Sequence, residues 1–277
     1  MKLKDWLKKN RSAFGDSDLR FLIKGVFNKD LSEVMAENIH IDSENLQYLD
    51  EVKELSEAGM PLSYILGKEV FFGLEFKVDK DVLIPRPETE LSLEKALQII
   101  NNHDIKSVLD LGCGCGNIGI SIAKKTAKDL SIVSSDVSEP ALAVAGQNAE
   151  FHSVDIELVH SDLFENLKQR RFDLIVSNPP YVEESYIKGS LLHEPHVSLS
   201  GGENGFFYVD KILRQAKDYL TDKGWLIIEM GYKHKELTEK LLEELDSYES
   251  PEWIKDYSGH FRAVVLRRRP TKVHPTR

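Results

Sequence analysis

The feature that most constrains the fold is an apolar segment that runs through closely spaced glycines into a helical pattern. Residues 108–111 (VLDL) are typical of a buried strand, and residues 112–119 (GCGCGNIG) follow them directly. Glycine lets the backbone turn sharply and approach a ligand without a Cβ in the way. Gly114, Gly116 and Gly119 satisfy the dinucleotide fingerprint, so the motif predicts a nucleotide-like ligand without separating nicotinamide cofactors from S-adenosylmethionine.

From Ser107 onward, short apolar runs alternate with helical patterns. The predicted strands are Ser107–Leu111, Ser131–Ser135, Glu157–His160, Phe172–Ser177, Trp225–Met230 and Arg262–Leu266. The predicted helices are one that ends near Asn101, with Thr89 as a candidate cap, followed by Ile118–Lys125, Pro140–Phe151, Phe207–Leu220 and Lys233–Leu245. This alternation predicts an α/β fold with a mostly parallel sheet and helices on both of its faces.

The N-terminal quarter of the chain has a different pattern. Residues 1–69 read as short amphipathic helices without catalytic residues, which indicates a small recognition domain. Residues 70–84 begin with VFFGLEFKV, which predicts a hairpin linker. The main domain is then predicted to span residues 85–266. Residues 267–277 form a basic tail, for which a disordered terminus is favoured over an RNA-binding arm.

Composition limits the partners and the compartment. The 36 basic and 46 acidic residues give a net charge of −10, which argues against the basic face that a DNA-binding protein needs. No apolar run approaches the roughly 20 residues that cross a bilayer, so we expect no membrane association. Cys113 and Cys115, the two cysteines, lack nearby His or Cys partners. We therefore expect no disulfide and no metal site, and we expect a cytoplasmic protein.

Acidic residues follow the second and third predicted strands. Asp136 lies 20 residues after Gly116, where a carboxylate can accept hydrogen bonds from both ribose hydroxyls. Ser138 is the better candidate to cap the helix that follows. Asp162 and Leu163, after the third strand, either bracket a purine ring or form a simple turn.

A second motif follows the fourth predicted strand. Asn178, Pro179, Pro180 and Tyr181 come after an apolar run, at the edge where open α/β sheets bind their ligands. The two prolines forbid a helix and leave rigid carbonyl acceptors. The Asn178 side-chain oxygen and the Pro179 carbonyl can hold two N–H groups, while Tyr181 lies against a planar substrate group. The tetrad predicts an amide or amine substrate, and a plain turn is the alternative.

Together, the glycine loop and the tetrad resemble the amino-methyltransferases, which act on adenine, cytosine or glutamine nitrogens. Residues 85–90 (PRPETE), the helical front domain and residues 194–205 narrow the resemblance to the HemK-type glutamine methyltransferases of peptide-chain release factors. The resemblance extends from the hairpin at Phe71 to Val265. Leu163 stands where some relatives have a tryptophan against the adenine.

The resemblance implies a Rossmann-like, seven-stranded class I methyltransferase sheet, with S-adenosylmethionine as cofactor and no metal. The implied target is the glutamine in the Gly-Gly-Gln motif of a release factor, without sequence-specific nucleic-acid binding. The residues implied to hold the cofactor are Gly112, Cys113, Gly114, Cys115, Gly116, Asp136, Asp162, Leu163 and Asn178. The residues implied to hold the target and carry catalysis are Asn178, Pro179, Pro180 and Tyr181, with Arg86 and Glu88 lining the same site.

Three other functions stay open at this point. A nucleic-acid amino-methyltransferase would use the same tetrad but conflicts with the net charge. A nicotinamide oxidoreductase would leave the tetrad without a role, and a non-catalytic scaffold would not need it intact. We expect catalysis by orientation, because no general base is evident beside Asn178. Residues 182–204 are long for a loop and form either a lid or a partly helical excursion.

Overall fold

The computed structural model describes residues 1–270 of the chain. It contains two compact units. The first consists of Met1–Lys68 and Gly189–His193, and the second consists of Glu69–Lys188 and the residues from Glu194 onward.

The first unit is helical. Its helices are α1 (Leu3–Asn10), α2 (Asp16–Phe27), α3 (Leu31–Ala36), α4 (Ser43–Glu57) and α5 (Leu62–Leu66). Their apolar stripes share one core in which Trp6, Leu22 and Leu49 are almost completely buried. The Trp6 indole N–H donates to Asp50 Oδ1 at 2.8 Å, so the largest side chain of this core keeps its polar atom satisfied.

The second unit alternates strands and helices. Its elements in chain order are β1 (Lys68–Phe71), β2 (Leu74–Lys77), α6 (Thr89–Asn102), β3 (Ser107–Leu111), α7 (Asn117–Lys125), β4 (Ser131–Asp136), α8 (Glu139–His152), β5 (Glu157–His160), β6 (Phe172–Ser177), α9 (His196–Leu199), α10 (Phe207–Gln215), β7 (Leu220–Glu229), α11 (Lys235–Glu244), β8 (Glu252–Lys255) and β9 (Phe261–Arg267). Strands β1 and β2 form a separate two-stranded sheet.

The main sheet has seven strands within the described part of the chain, in the order β5-β4-β3-β6-β7-β9-β8. The pairs from β5 to β7 are parallel, and β9 runs antiparallel to both β7 and β8. Strands β3 and β6 are buried on both faces, which explains their continuous apolar sequence. The predicted seven-stranded Rossmann-like fold is therefore confirmed.

Two local predictions about this unit were wrong, and one strand was not predicted. The helix predicted to reach Leu220 ends at Gln215, because a short 3₁₀ turn intervenes and β7 begins at Leu220. Strand β8 was not predicted, since it is a four-residue edge strand with charged ends. Thr89 does not cap α6; Glu88 occupies that position without a side-chain cap. The Ser138 cap is confirmed, because its hydroxyl accepts from the Ala141 N–H at 3.2 Å.

Residues 182–204 contain short 3₁₀ turns at Glu184–Tyr186 and Gly189–His193, followed by α9, so the segment is partly helical, and its role as a lid stays a prediction. At the C-terminus, Arg267 ends β9, and the backbone N–H groups of Arg268 and Arg269 donate to Gly224 and Ser247. The start of the predicted basic tail is therefore ordered, while residues 271–277 lie outside the described residues. Over residues 1–270, no helix is both long and apolar enough for a membrane span.

Helix α7 packs directly on the sheet through Gly119. A Cβ at this position would lie 2.5 Å from the Ser134 hydroxyl oxygen of β4 and 3.2 Å from Asp110 Oδ2 of β3. The Gly119 N–H donates to that same carboxylate oxygen at 2.9 Å. By contrast, a Cβ at Gly146 in α8 would meet only Leu158 Cδ1 at 3.4 Å, an easily tolerated contact.

These two helical glycines give a matched test of the packing. We expect Gly119→Ala to lower the free energy of unfolding by about 1–3 kcal/mol, because the methyl group overpacks a buried polar contact. Gly146→Ala should be neutral or should raise it by up to about 1 kcal/mol, since alanine favours the helix. Urea unfolding followed by circular dichroism measures both, and equal effects of the two variants would contradict the packing argument.

Candidate active site

A cleft opens at the carboxyl ends of β3, β4 and β6. It encloses about 910 Å³, part of which is open to solvent. Its lining residues come from the segment before α6, the ends of β3, β4, β5 and β6, helix α8, the start of α9 and α10: Asp81, Val82, Leu83, Leu111, Gly112, Gly114, Asp136, Val137, Ser138, Ala141, Ser161, Asp162, Leu163, Ser177, Asn178, Pro179, Pro180, Pro195, Val197, Ser198, Tyr208 and Ile212. Parallel strand ends thus bring residues distant in sequence to one surface.

The glycine loop forms one wall of the cleft. Gly112, Gly114 and Gly116 have φ angles of 75°, 52° and 81°, which favour glycine. A Cβ at Gly112 or Gly114 would meet nothing within 4 Å. Both residues line the cleft, so such a Cβ would enter the space left for a ligand. The loop is also fixed, because the N–H groups of Gly112 and Cys113 both donate to the Ser135 carbonyl, at 2.8 and 2.9 Å.

Asp136 lies at the end of β4, beside this wall. Its Oδ2 accepts from the Gly114 N–H at 2.8 Å, and its Oδ1 accepts from the Ser138 N–H at 2.9 Å. A carboxylate has about four acceptor positions, so these contacts leave capacity for a ligand hydroxyl group. Burial raises the pKa of Asp136, and these backbone hydrogen bonds oppose the rise. Asp162 and Leu163 line the same cleft after β5, and Leu163 has a φ of 46°.

The two cysteines of the loop are buried. Cys113 borders a small adjoining cavity with Arg86, Thr89 and Asn178. Burial raises the pKa of the Cys115 thiol to about 12, so it stays protonated and unreactive. Gly116 caps the start of α7 beneath the cleft wall. Residues 1–270 contain no cluster of His, Cys, Asp and Glu suited to a metal ion.

Asn148, which sequence reasoning missed, fastens the β1–β2 hairpin to the glycine loop. This buried side chain of α8 exchanges hydrogen bonds with the backbone of Lys77, accepting its N–H at 2.7 Å and donating to its carbonyl at 3.0 Å. The same amide group donates to the Cys115 carbonyl at 2.9 Å. An asparagine in the middle of a helix, where hydrophobic residues would be ordinary, was the available signal.

The tetrad is divided between two cavities. Asn178, Pro179 and Pro180 line the cleft, and Asn178 Nδ2 donates to Thr89 Oγ1 at 3.0 Å. Tyr181 lines a neighbouring cavity that also includes Tyr186, Tyr232, Lys233, His234 and Arg262. Its hydroxyl donates to Oε1 of the buried Glu229 at 2.9 Å. Glu229 was missed because it belongs to no local motif, and Thr89 was considered only as a helix cap.

The glycine-rich segment before α10 supports Tyr181 by close backbone contact. A Cβ at Gly205 would lie 2.4 Å from the Tyr181 carbonyl oxygen, and one at Gly201 would lie 2.4 Å from the Gly205 carbonyl. The Gly201 N–H donates to the Val182 carbonyl at 2.9 Å. Only glycine permits this approach, so the second glycine motif of the chain fixes the backbone that follows the tetrad.

Arg86 and Glu88 take different positions. Arg86 borders the small cavity beside Asn178, and its guanidinium pairs with Glu194 Oε1 at 2.5 Å. Glu194 Oε2 also accepts the Ile84 N–H at 3.2 Å, and its side chain is only 3% exposed. Glu194 therefore joins the segment before α6 to the segment that leads into α9. Glu88 instead faces Arg262, with 4.0 Å between Oε1 and the nearest guanidinium nitrogen.

Comparisons with known proteins agree with this geometry. Residues 94–258 match the model of a protein family described as "Methyltransferase small domain". A release factor glutamine methyltransferase from Clostridium botulinum is 34% identical over 271 residues, which is 95% of this chain and 95% of the relative. A protein of the same name from Streptococcus pneumoniae is 37% identical over 227 residues, or 80% of each chain.

Solved structures support the fold. A 16S rRNA N2 methyltransferase from T. thermophilus, in complex with AdoMet and guanosine, has 20% identity and a TM-score of 0.54, covering 73% of this chain and 50% of the other. A methyltransferase from Pyrococcus furiosus has 19% identity and a TM-score of 0.52, covering 82% and 100%. At such identities the likeness concerns the fold alone.

Two carboxylates beneath the site are fully buried. Burial raises the pKa of Asp110 to about 7, against the hydrogen bond from the Gly119 N–H. Burial likewise raises the pKa of Glu229 to about 7, against the nearby Thr89 hydroxyl and the hydrogen bond from Tyr181, which both lower it. Among the described residues, Asp110 Oδ1 has no hydrogen-bond partner. A carboxyl whose pKa is raised in the folded state contributes stability at low pH and loses that contribution as the pH rises through about 7.

We therefore expect Asp110→Asn to flatten the pH dependence of stability. The asparagine oxygen can still accept the hydrogen bond from the Gly119 N–H. Unlike the Asp110 carboxylate, the asparagine side chain does not bind a proton in the folded protein. As the pH rises from 5 to 8, the original protein should lose a contribution to its free energy of unfolding that the variant never had. The difference between the free energies of unfolding of the variant and the original protein should therefore shift by more than about 1 kcal/mol in favour of the variant. Urea titrations at several pH values measure this difference, and parallel pH curves for the two proteins would contradict it.

Proposed function

This chain belongs to the family of release factor glutamine methyltransferases, and from that premise we propose that it methylates the side-chain amide nitrogen of a glutamine in a peptide-chain release factor. The target that we propose is the glutamine of the Gly-Gly-Gln motif. One observation about the site supports this most directly: the Asn178 amide is held at the cleft with its nitrogen turned to Thr89.

The cleft suits S-adenosylmethionine as methyl donor. Gly112 and Gly114 leave open space where any side chain would intrude, and Asp136 would accept hydrogen bonds from ribose hydroxyls. Asp162 and Leu163, which line the cleft, would border the adenine, with Leu163 giving an apolar contact rather than an aromatic stack. The bound cofactor would supply an electrophilic methyl group on a sulfonium.

The tetrad suits a primary amide as the acceptor. Because Asn178 Nδ2 donates to Thr89, Oδ1 is the atom left to accept an N–H from the target. The Pro179 carbonyl is a second rigid acceptor at the same strand end. Two acceptors that hold the two N–H groups would present the nitrogen lone pair to the methyl donor.

Transfer then requires orientation more than acid–base chemistry. The amide lone pair is delocalised into its carbonyl, so a fixed in-line approach replaces intrinsic nucleophilicity, and such positioning can supply about 7–11 kcal/mol in favourable cases. When bound, the cofactor would supply its methyl group to the amide nitrogen with S-adenosylhomocysteine as the leaving group, and the amide proton would then be lost to water. Tyr181, whose hydroxyl is fixed by Glu229, would lie against the planar target amide on the side of the site away from the cofactor cleft.

The proposal includes a cytoplasmic location, where the free thiols of Cys113 and Cys115 are stable. It also includes binding of the release factor as a protein, without sequence-specific recognition of nucleic acid.

The test is transfer of a labelled methyl group to a purified release factor. We expect label on the factor with an intact Gly-Gly-Gln motif and none on a factor whose glutamine is replaced by alanine, with peptide mass spectrometry locating the methyl group.

Asn178→Ala should reduce kcat/KM by about 100-fold or more, since one orienting acceptor in the site is lost. Asn101→Ala, an exposed position on α6, is the matched control and should retain full activity. Transfer to RNA or DNA in place of the factor would overturn the proposal.

A further inference from the structure

A series of neighbouring polar side chains lies beneath the target site, formed by Asn178, Thr89, Glu229 and Tyr181. Glu229, at the end of β7, is completely buried. Its Oε1 accepts from the Tyr181 hydroxyl at 2.9 Å, while Thr89, at the start of α6, accepts from Asn178 Nδ2 at 3.0 Å. Two of the four tetrad residues thus contact buried partners that lie outside the tetrad.

The Thr89 hydroxyl is the candidate link between Asn178 and Glu229. It is 1% exposed and already accepts one hydrogen bond, so its own hydrogen needs a buried acceptor. Glu229 Oε2 is a buried oxygen that has no hydrogen-bond partner among the described residues. Thr89 lies near enough to Glu229 to favour its charged form and so to lower its pKa. Thr89 is therefore the donor available to this oxygen, and the donors would run in one direction, from Asn178 to Thr89 and from Thr89 to Glu229.

The direction in which these side chains donate hydrogen bonds decides which atom of Asn178 faces the cleft. While Glu229 is ionised it only accepts, so Thr89 donates to it and accepts from the Asn178 nitrogen, which leaves the amide oxygen for the target. A protonated Glu229 can donate to Thr89 instead. Thr89 would then donate to the Asn178 oxygen, and the amide would present its NH₂ group, which cannot accept an N–H from a substrate.

We propose that Glu229 is a positioning residue, which fixes the productive orientation of the Asn178 amide through Thr89 and holds Tyr181 by its hydroxyl. The inference rests on the proposed function, since it concerns the same target amide. Glu229 does not line the cleft and would act only through these two neighbours.

The charges around Glu229 set the pH at which this orientation is present. Arg262 on β9 lowers the pKa of Glu229, whereas Glu88 before α6 raises it, and Tyr181 and Thr89 are neutral donors that lower it. Burial outweighs these effects and raises the pKa to about 7. The ionised state, and with it the productive amide orientation, is lost as the pH falls below about 7.

Four forms of the full-length protein test this: the original chain, Thr89→Val, Thr89→Ser and Glu229→Gln. The measurements are kcat and KM for the release factor from pH 5.5 to 9, with the dissociation constant of S-adenosylmethionine determined by calorimetry. In the original protein, kcat should rise about tenfold per pH unit at low pH and level off above about pH 7. Thr89→Val should lose about tenfold or more in kcat at pH 8, and Thr89→Ser, which keeps the hydroxyl, should recover most of it. Glu229→Gln should have a reduced kcat, and this kcat should not show the rise with pH that is expected of the original protein.

Cofactor binding should change by less than about threefold in every variant, because the effect lies in the target amide and not in the fold. Equal kcat values for Thr89→Val and Thr89→Ser would overturn the inference, as would a full, pH-dependent kcat in Glu229→Gln. If Thr89→Val loses cofactor binding, the pH profile of the original protein decides alone, and the absence of an ionisation between pH 6 and 8 overturns the inference. A failure of the proposed function is distinct, because the original protein would then transfer no methyl group to the factor at any pH.

Discussion

The parallel pairing of β3 with β4 on one side and with β6 on the other is the constraint on which the site depends. It brings three strand ends to one edge in register, so that the glycine loop after β3, Asp136 at the end of β4 and Asn178 after β6 meet around a single cleft. The loop keeps its course because Ser135 of β4 accepts two of its N–H groups. Helix α7 can follow immediately only because Gly119 has no side chain to separate it from the sheet.

Much of this arrangement could be predicted from the sequence because each part is encoded locally. A buried parallel strand is a short apolar run, and its ligand-binding loop follows directly, so the glycine loop, Asp136 and the tetrad each stand beside a recognisable strand. The same local rule identified Ser138 as a helix cap. Chain segments without such periodicity were less predictable, as with the edge strand β8 and the boundary between α10 and β7.

The side chains that support the site could not be predicted because their partners are distant in sequence. Thr89 is 89 positions from Asn178, Tyr181 is 48 from Glu229, and Asn148 is 71 from Lys77. Each is an ordinary polar residue within a helix or at a strand end, and only the folded chain shows that it is buried beside a specific partner. A single sequence therefore indicates which residues face the ligand, but not what holds them in place.

Glu194 shows how two surfaces of the cleft are mechanically joined. The segment that contains Leu83 and the segment that leads to Val197 both line the cleft, and one carboxylate holds the backbone of Ile84 and the guanidinium of Arg86. Neither segment can swing outward alone without breaking this link. Outward movement of these segments must either carry both of them together or break an ion pair whose carboxylate is buried, so the turnover rate of the enzyme need not be set by the chemical step.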